Sequence, residues 1–211
     1  MPPAAQEKQG AAPQGDEGEP APAQDDDPRR SPPPATVDEL AAACVRYVSR
    51  ALRVAPDFSR ETLPLVDHYL EQAASAAGLR PETLPLTAHT IGAYLGEVVR
   101  RTHPCWWRIG GDDPARWRLE FRDAYLKFYP VQVVLSALTR RQPGHEDTSG
   151  LELDAEEREG LRARLAELPQ VTEAEYYAPS TRLEVIDIAL DVIAAARGEP
   201  RSYRPADYEQ E

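Results

Sequence analysis

Four histidines and two cysteines give this 211-residue chain enough ligand types for a zinc site. They are His68, His89, His103, His145, Cys44 and Cys105. A zinc site needs ligands in closely spaced pairs. His68 and His89 lie near the starts of two predicted antiparallel helices, which would keep them ~20 Å apart at ~1.5 Å per residue. His103 and Cys105 form one pair without a counterpart. We therefore predict no metal site and no cofactor.

Few sequence features point to catalytic chemistry. Cys105 with His103 is a candidate nucleophile and base, but the proline between them disfavours the geometry that such a pair needs. The sequence contains no Gly-x-Ser-x-Gly elbow, no glycine-rich phosphate loop before a helix and no His-Glu-x-x-His run. We predict no catalytic residue. The alternative is an enzyme with an unrecognised site around Glu97 and His103.

The most informative stretch is residues 92–101, GAYLGEVVRR, which Trp106 and Trp107 follow closely. Glycine destabilises a helix interior by ~1 kcal/mol relative to alanine, so two glycines four residues apart predict that another element packs closely there. Glu97 points away from the apolar stripe of this helix. We favour an exposed ion pair between Glu97 and Arg101. The alternative is a groove lined by Glu97, its arginine neighbours and the tryptophans.

This stretch carries a resemblance to a group of bacterial proteins. The run GAYLGEVVRR with its following tryptophans resembles a Gly-x-Tyr-hydrophobic-Gly-Glu-Val pattern, then Arg and Trp, of an uncharacterised bacterial family with a small α+β fold. The similarity extends from Leu84 to Phe121. It implies a fold and no catalytic residue, because the family's activity is unknown.

Tryptophan and arginine are concentrated in and after the same stretch, and both residue types are enriched at binding hot spots. The predicted partner-binding residues are Glu97, Arg100, Arg101, Trp106, Trp107, Arg108 and Trp117. We predict a non-enzymatic protein-binding module, such as an adaptor or an immunity-type inhibitor, with a protein partner. A nucleic-acid binder is the lesser alternative and would require six arginines to converge on one face. They are Arg100, Arg101, Arg108, Arg116, Arg118 and Arg122.

The overall charge argues against polyanionic partners. The chain has 24 Lys and Arg against 36 Asp and Glu, a formal net charge of -12. Nucleic acids and anionic lipids bind through clustered cations, so we expect neither as a partner. No apolar stretch is long enough for a membrane helix, and the acidic N-terminus is unlike a signal peptide. We expect a cytoplasmic protein with reduced cysteines; its oligomeric state is open.

Helical periodicity begins after a proline-rich start. Thr36 and Glu39 fit a capping box and predict a helix that runs to about Val54. The pentapeptide ETLPL occurs at residues 61–65 and again at residues 82–86. Proline is well tolerated in the first turn of a helix, so the repeat predicts two helices that begin alike and form an antiparallel hairpin.

The pattern changes to a period of two after Pro104. Strands are predicted at residues 106–109, 117–121 and 124–129. Further helices are predicted from Pro130, from Asp154 and over residues 182–197, the last so apolar that it should lie centrally. The predicted fold is α+β and mainly helical, with five or six helices around an antiparallel meander of two or three strands.

The chain ends differ from the middle in composition. Residues 1–35 hold nine of the 21 prolines and no Leu, Ile, Val, Phe, Trp or Tyr, so we predict that they are disordered. Residues 36–197 are predicted to form one domain, and residues 198–211 a flexible tail. Within the N-terminal segment, the acidic run before Arg29 and Arg30 is a candidate short binding motif.

Overall fold

The computed structural model describes residues 27–75, 80, 82–111, 113–139 and 150–209. Over this part of the chain the fold is α+β and mainly helical, with seven α-helices and one antiparallel sheet of four strands. The helices are α1 (Ala35–Leu52), α2 (Leu63–Ser75), α3 (Leu84–Thr102), α4 (Pro130–Thr139), α5 (Ala155–Ala166), α6 (Glu173–Tyr177) and α7 (Pro179–Arg197). The strands are β1 (Cys105–Arg108), β2 (Arg118–Phe121), β3 (Lys127–Phe128) and β4 (Leu151–Glu152).

The sheet has the strand order β1-β2-β3-β4, so β1 is an edge strand. Three of its strands match the predicted meander. The fourth, β4, falls where a polar loop passes into the helix predicted at Asp154, and its two residues pair with β3. Two residues are too few to show a periodic pattern, so only pairing identifies them as a strand. The predicted count of two or three strands is therefore corrected to four.

Helix α3 is the centre of the fold. Every residue from Thr90 to Arg100 is buried, because α1, α4 and β1 pack around the helix. The sequence analysis placed the last helix in the centre, and this was wrong. One side of α7 is buried against α2 and α5, while Ile188 and Leu190 are only partly covered. The apolar residues of α7 therefore extend beyond the side of the helix that is buried.

The ETLPL repeat does start two helices, at Leu63 and Leu84, as predicted. The predicted close hairpin is not formed, since α2 packs more extensively on α4 and α7 than on α3. The proposed caps also differ. Helix α1 begins at Ala35 with Thr36 inside it, and Asp154 precedes α5 without a capping hydrogen bond. Thr172 forms a capping box with Glu175 before the short helix α6, which was not predicted.

Both chain ends pack on the domain wherever they are described. Residues 27–34, here called the strap, hold a short 3-10 turn at Pro28–Arg30 and lie against α3 and β1. At the other end, Tyr208 is 2% exposed, and its hydroxyl donates to the carbonyls of Phe121 and Ala124. Described residues on both sides of the predicted domain, 36–197, therefore contact it. Residues 1–26, 210 and 211 lie outside the described part.

The two glycines of α3 mark a close crossing, as predicted. A Cβ on Gly92 would stand 2.7 Å from Cγ2 and 2.8 Å from Cα of Val131 in α4. A Cβ on Gly96 would overlap the outer edge of the Trp107 ring, with Pro130 next to it. The absence of two side chains thus lets α4 and the first strand approach the central helix. In the described part of the chain, no helix has the length and apolarity required to cross a membrane.

We expect Gly96→Ala to lower the free energy of unfolding by ~1 to 3 kcal/mol, the usual effect of overpacking a filled interior. The Trp107 ring has little freedom to move aside because Glu97 holds its indole nitrogen. Urea unfolding measures the effect. Gly110→Ala is the control, since nothing lies within 4 Å of a Cβ there. Equal stability of the two variants would contradict the proposed crossing.

Candidate functional site

A buried ion pair between Glu97 and Arg100 lies at the C-terminal half of α3. Glu97 is 1% exposed. The Arg100 guanidinium donates to both carboxylate oxygens, Nε to Oε1 and Nη2 to Oε2, each at 2.9 Å. Trp107 adds a third hydrogen bond, from its indole N–H to Oε1 at 2.8 Å. A two-pronged arginine–carboxylate contact is among the strongest in proteins, and this one fixes α3 to β1.

This geometry corrects the favoured interpretation of Glu97. The sequence analysis placed Glu97 on the solvent side, paired with Arg101. The closest approach to Arg101 is instead a long one, 3.9 Å from Nε to Oε2, and the Arg101 guanidinium stacks over the Phe58 ring. The prediction assumed that α3 has only one buried face. The strap and β1 cover its other face as well. Burial on every side makes a wheel a poor guide to exposure.

The remaining edge of Arg100 binds the strap. Its Nη1 donates to three main-chain carbonyls, those of Pro28 at 3.0 Å, Arg29 at 3.1 Å and Ser31 at 2.9 Å. These carbonyls belong to the short 3-10 turn and the residue that ends it. Asp27 stabilises the start of that turn by accepting from the main-chain N–H of Arg29. Arg100 thus joins a carboxylate on its own helix to the backbone of a distant segment.

The strap, α3 and β1 line a cavity of about 270 Å³ that is open to solvent. Its wall contains Arg100, Cys105, Trp106 and Trp107 on one side and Pro28, Ser31, Pro32, Pro33 and Pro34 on the other. We call this space, with the surface beneath the strap, the strap groove. It lies beside the edge strand of the sheet. The groove therefore combines the Trp106 and Trp107 rings with the buried Arg100 guanidinium, which is bound to the strap backbone.

The other predicted site residues are divided between surface and interior. Trp106 and Arg108 are partly exposed, whereas Trp117 is buried under the sheet end. Arg108 and Arg118 stand opposite each other in β1 and β2, and both approach the buried carboxylate of Glu120. The structure therefore brings Arg100, Trp106 and Trp107 together at the groove and places Trp117 away from solvent.

Glu97 and His103, the residues of the enzyme alternative, belong to separate hydrogen-bond networks, and Cys105 is buried. Burial raises the pKa of the Cys105 thiol well above its usual range. His103 contacts Asp187 at 2.9 Å, and Arg60 binds both oxygens of the same carboxylate. Burial lowers the pKa of His103, although Asp187 opposes that shift. Glu97 and His103 thus have different partners and do not form one reacting pair.

The sequence analysis missed part of what the structure assembles. It treated the strap as disordered, although the acidic and basic residues at its start were noted as a motif. It also missed Asp67, which accepts hydrogen bonds from the Ser180 main chain and hydroxyl at a cavity of about 320 Å³ beside α2 and α7. Burial raises the pKa of Asp67. The sequence feature that could have indicated the strap is the proline run at residues 32–34, directly before α1.

Comparisons with known proteins add no assignment. Within the described residues, no group of three or more histidine, cysteine, aspartate or glutamate side chains is arranged to hold a metal ion. No protein family, curated protein or solved structure matches this chain. The resemblance of residues 92–101 to an uncharacterised bacterial family therefore stays a prediction.

We expect Glu97→Gln to destabilise the protein by about 3 kcal/mol. Removing one partner of a buried ion pair leaves the other charge uncompensated, here that of Arg100. Thermal and urea unfolding measure the loss. Glu39→Gln on the exposed side of α1 is the matched control and should stay within ~0.5 kcal/mol of the native chain. A neutral Glu97→Gln would show that the pair has ready access to water.

Both cysteine thiols should resist labelling in the folded protein. Burial raises the pKa of Cys44 to about 12 and that of Cys105 further. At pH 8 only about one Cys44 thiol in ten thousand would be ionised, and the thiolate is the reactive form. Ellman's reagent should therefore react with neither thiol until urea unfolds the chain. Rapid reaction of Cys105 in the folded state would favour the enzyme alternative.

Proposed function

We propose that this protein is a non-enzymatic protein-binding module, acting as an adaptor or an immunity-type inhibitor in bacteria. One observation carries the proposal: the surface formed by Arg100, Trp106 and Trp107 already holds a length of polypeptide, the strap. A surface that binds backbone carbonyls and prolines has the chemistry needed to bind another protein. Trp106 is partly exposed in the groove wall, and Arg108 is partly exposed two residues further along β1, where it also contacts Glu120 and Glu209. Both are residue types that dominate binding energies.

The rigidity of this surface also supports binding. Glu97 and Arg100 form an ion pair, and Trp107 donates a hydrogen bond to Glu97. The Trp107 ring packs directly on Gly96. Side chains that are already ordered lose little conformational freedom when a partner binds. The residues beneath the surface therefore act as its frame, and the partly exposed Trp106 and Arg108 as its contacts.

The enzyme alternative has weaker support from the same geometry. The enzyme alternative depends on Glu97 and His103, and both have internal partners. Glu97 accepts hydrogen bonds from Arg100 and Trp107, and His103 contacts Asp187. The nucleic-acid alternative is weakened in a similar way. Several of the six arginines point to carboxylates, with Arg108 and Arg118 at Glu120. Charge neutralised within the fold is not available to displace counterions from a phosphate backbone.

The proposal is tested by capture followed by reconstitution. The full chain is immobilised, bound proteins from the native host are identified by mass spectrometry, and a purified candidate is titrated by calorimetry. We expect a saturable complex that Trp106→Ala or Arg108→Ala weakens by at least about tenfold, since hot-spot truncations commonly exceed 2 kcal/mol. Melting temperatures of the variants confirm that they are folded.

Glu39→Gln, on the exposed side of α1, serves as the control and should bind like the native chain. Two results would overturn the proposal. One is that no captured protein binds again in purified form. The other is that both surface variants keep native affinity for the reconstituted partner while remaining folded, which would place the contact elsewhere.

A further inference from the structure

We propose that the strap groove is a recognition site for a proline-rich segment of a partner protein that, like the strap, forms a 3-10 turn followed by residues in the polyproline II conformation, and that the strap occupies it as an internal ligand. This inference rests on the proposed function and specifies the kind of partner. It follows from three features of the strap groove: the atoms through which the strap is held, the backbone conformation of the strap, and the space left around it.

The strap is fastened to α3 through atoms that any polypeptide possesses. The Arg100 guanidinium donates to the carbonyl oxygens of Pro28, Arg29 and Ser31. The side-chain contact between Asp27 and Arg29 lies within the strap itself. Carbonyl recognition does not depend on side-chain identity, so an incoming segment of similar backbone shape would satisfy the same donor.

The second half of the strap, after the 3-10 turn at Pro28–Arg30, has a backbone conformation that favours proline. Ser31 has φ -72° and ψ 141°, and Pro34 has φ -54° and ψ 139°. Both lie close to polyproline II, for which φ is about -75° and ψ about 145°. Proline lacks an N–H, so a proline run beside the edge strand β1 leaves no donor of its own unsatisfied. Proline-rich ligands typically bind in grooves lined by aromatic rings, as Trp106 and Trp107 line this one.

The strap neither fills nor seals the groove. The cavity of about 270 Å³ remains between its prolines and the two tryptophans. Pro28 is buried, but Ser31 and Pro32 face solvent, so the strap is open to replacement from outside. A partner with larger side chains would occupy this space and gain contacts that the strap lacks. The strap competes because a tethered ligand has an effective concentration of the order of millimolar.

The test uses the full chain with a weakened strap, carrying Pro28→Gly, Pro32→Gly and Pro33→Gly. The probe is a fluorescent peptide with the sequence of residues 27–34, DPRRSPPP, and binding is measured by anisotropy. We expect it to bind the weakened-strap chain at least tenfold more tightly than the native chain, because the native strap occupies the groove. A peptide of equal charge with glycine at all four prolines, DGRRSGGG, should bind at least tenfold more weakly than the probe.

A second variant identifies the groove. Trp106→Ala added to the weakened-strap chain should abolish probe binding, while circular dichroism and the melting temperature show that both variants are folded. The proposal is overturned if the folded weakened-strap chain does not bind the probe, or if the glycine peptide binds equally well. It is also overturned if the native chain forms dimers that the weakened strap abolishes, since the occupant would then be a second copy of the strap. A reconstituted partner that binds but is not displaced by the probe would refute this inference and leave the proposed function standing.

Discussion

The buried ion pair of Glu97 and Arg100 is the interaction on which the rest of the structure depends. An arginine and a carboxylate both lose hydration when they are buried, and this loss is offset only if nearly every donor and acceptor finds a partner. Here the partners come from three parts of the chain: the helix itself, Trp107 in β1 and the strap carbonyls. Satisfying one pair of charges therefore requires the helix, the sheet edge and the N-terminal segment to assemble in one arrangement.

Close packing and polar bonding are joined at Trp107. Its indole nitrogen reaches Glu97, and its ring lies on Gly96, one residue earlier in the same helix. The missing side chain at Gly96 lets the ring approach, and the carboxylate sets its orientation. The glycine pair and Glu97 are thus parts of one arrangement, although the sequence analysis interpreted them as a packed face and an exposed charge.

The surface around Arg100 binds the chain's own backbone. The strap, which satisfies Arg100, has no large apolar side chains, so this contact is made chiefly by main-chain oxygens and prolines. Contacts of this kind are shared by many extended sequences. Two further arginines near β1, Arg108 and Arg118, pair with the buried carboxylate of Glu120.

The sequence by itself determined the elements whose causes are local: the α+β class, the helices that begin at the two ETLPL copies, the hairpin of β1 and β2, and the close crossing at Gly92 and Gly96. Periodicity and glycine spacing act over a few residues, so they can be read along the chain. Only the tertiary structure decided that α3 is central, that β4 completes the sheet, and that the strap docks. The same is true of the burial of Glu97. Burial depends on which distant segment covers a residue, and Arg100 meets Pro28, 72 positions away, through a backbone carbonyl that carries no mark in the sequence.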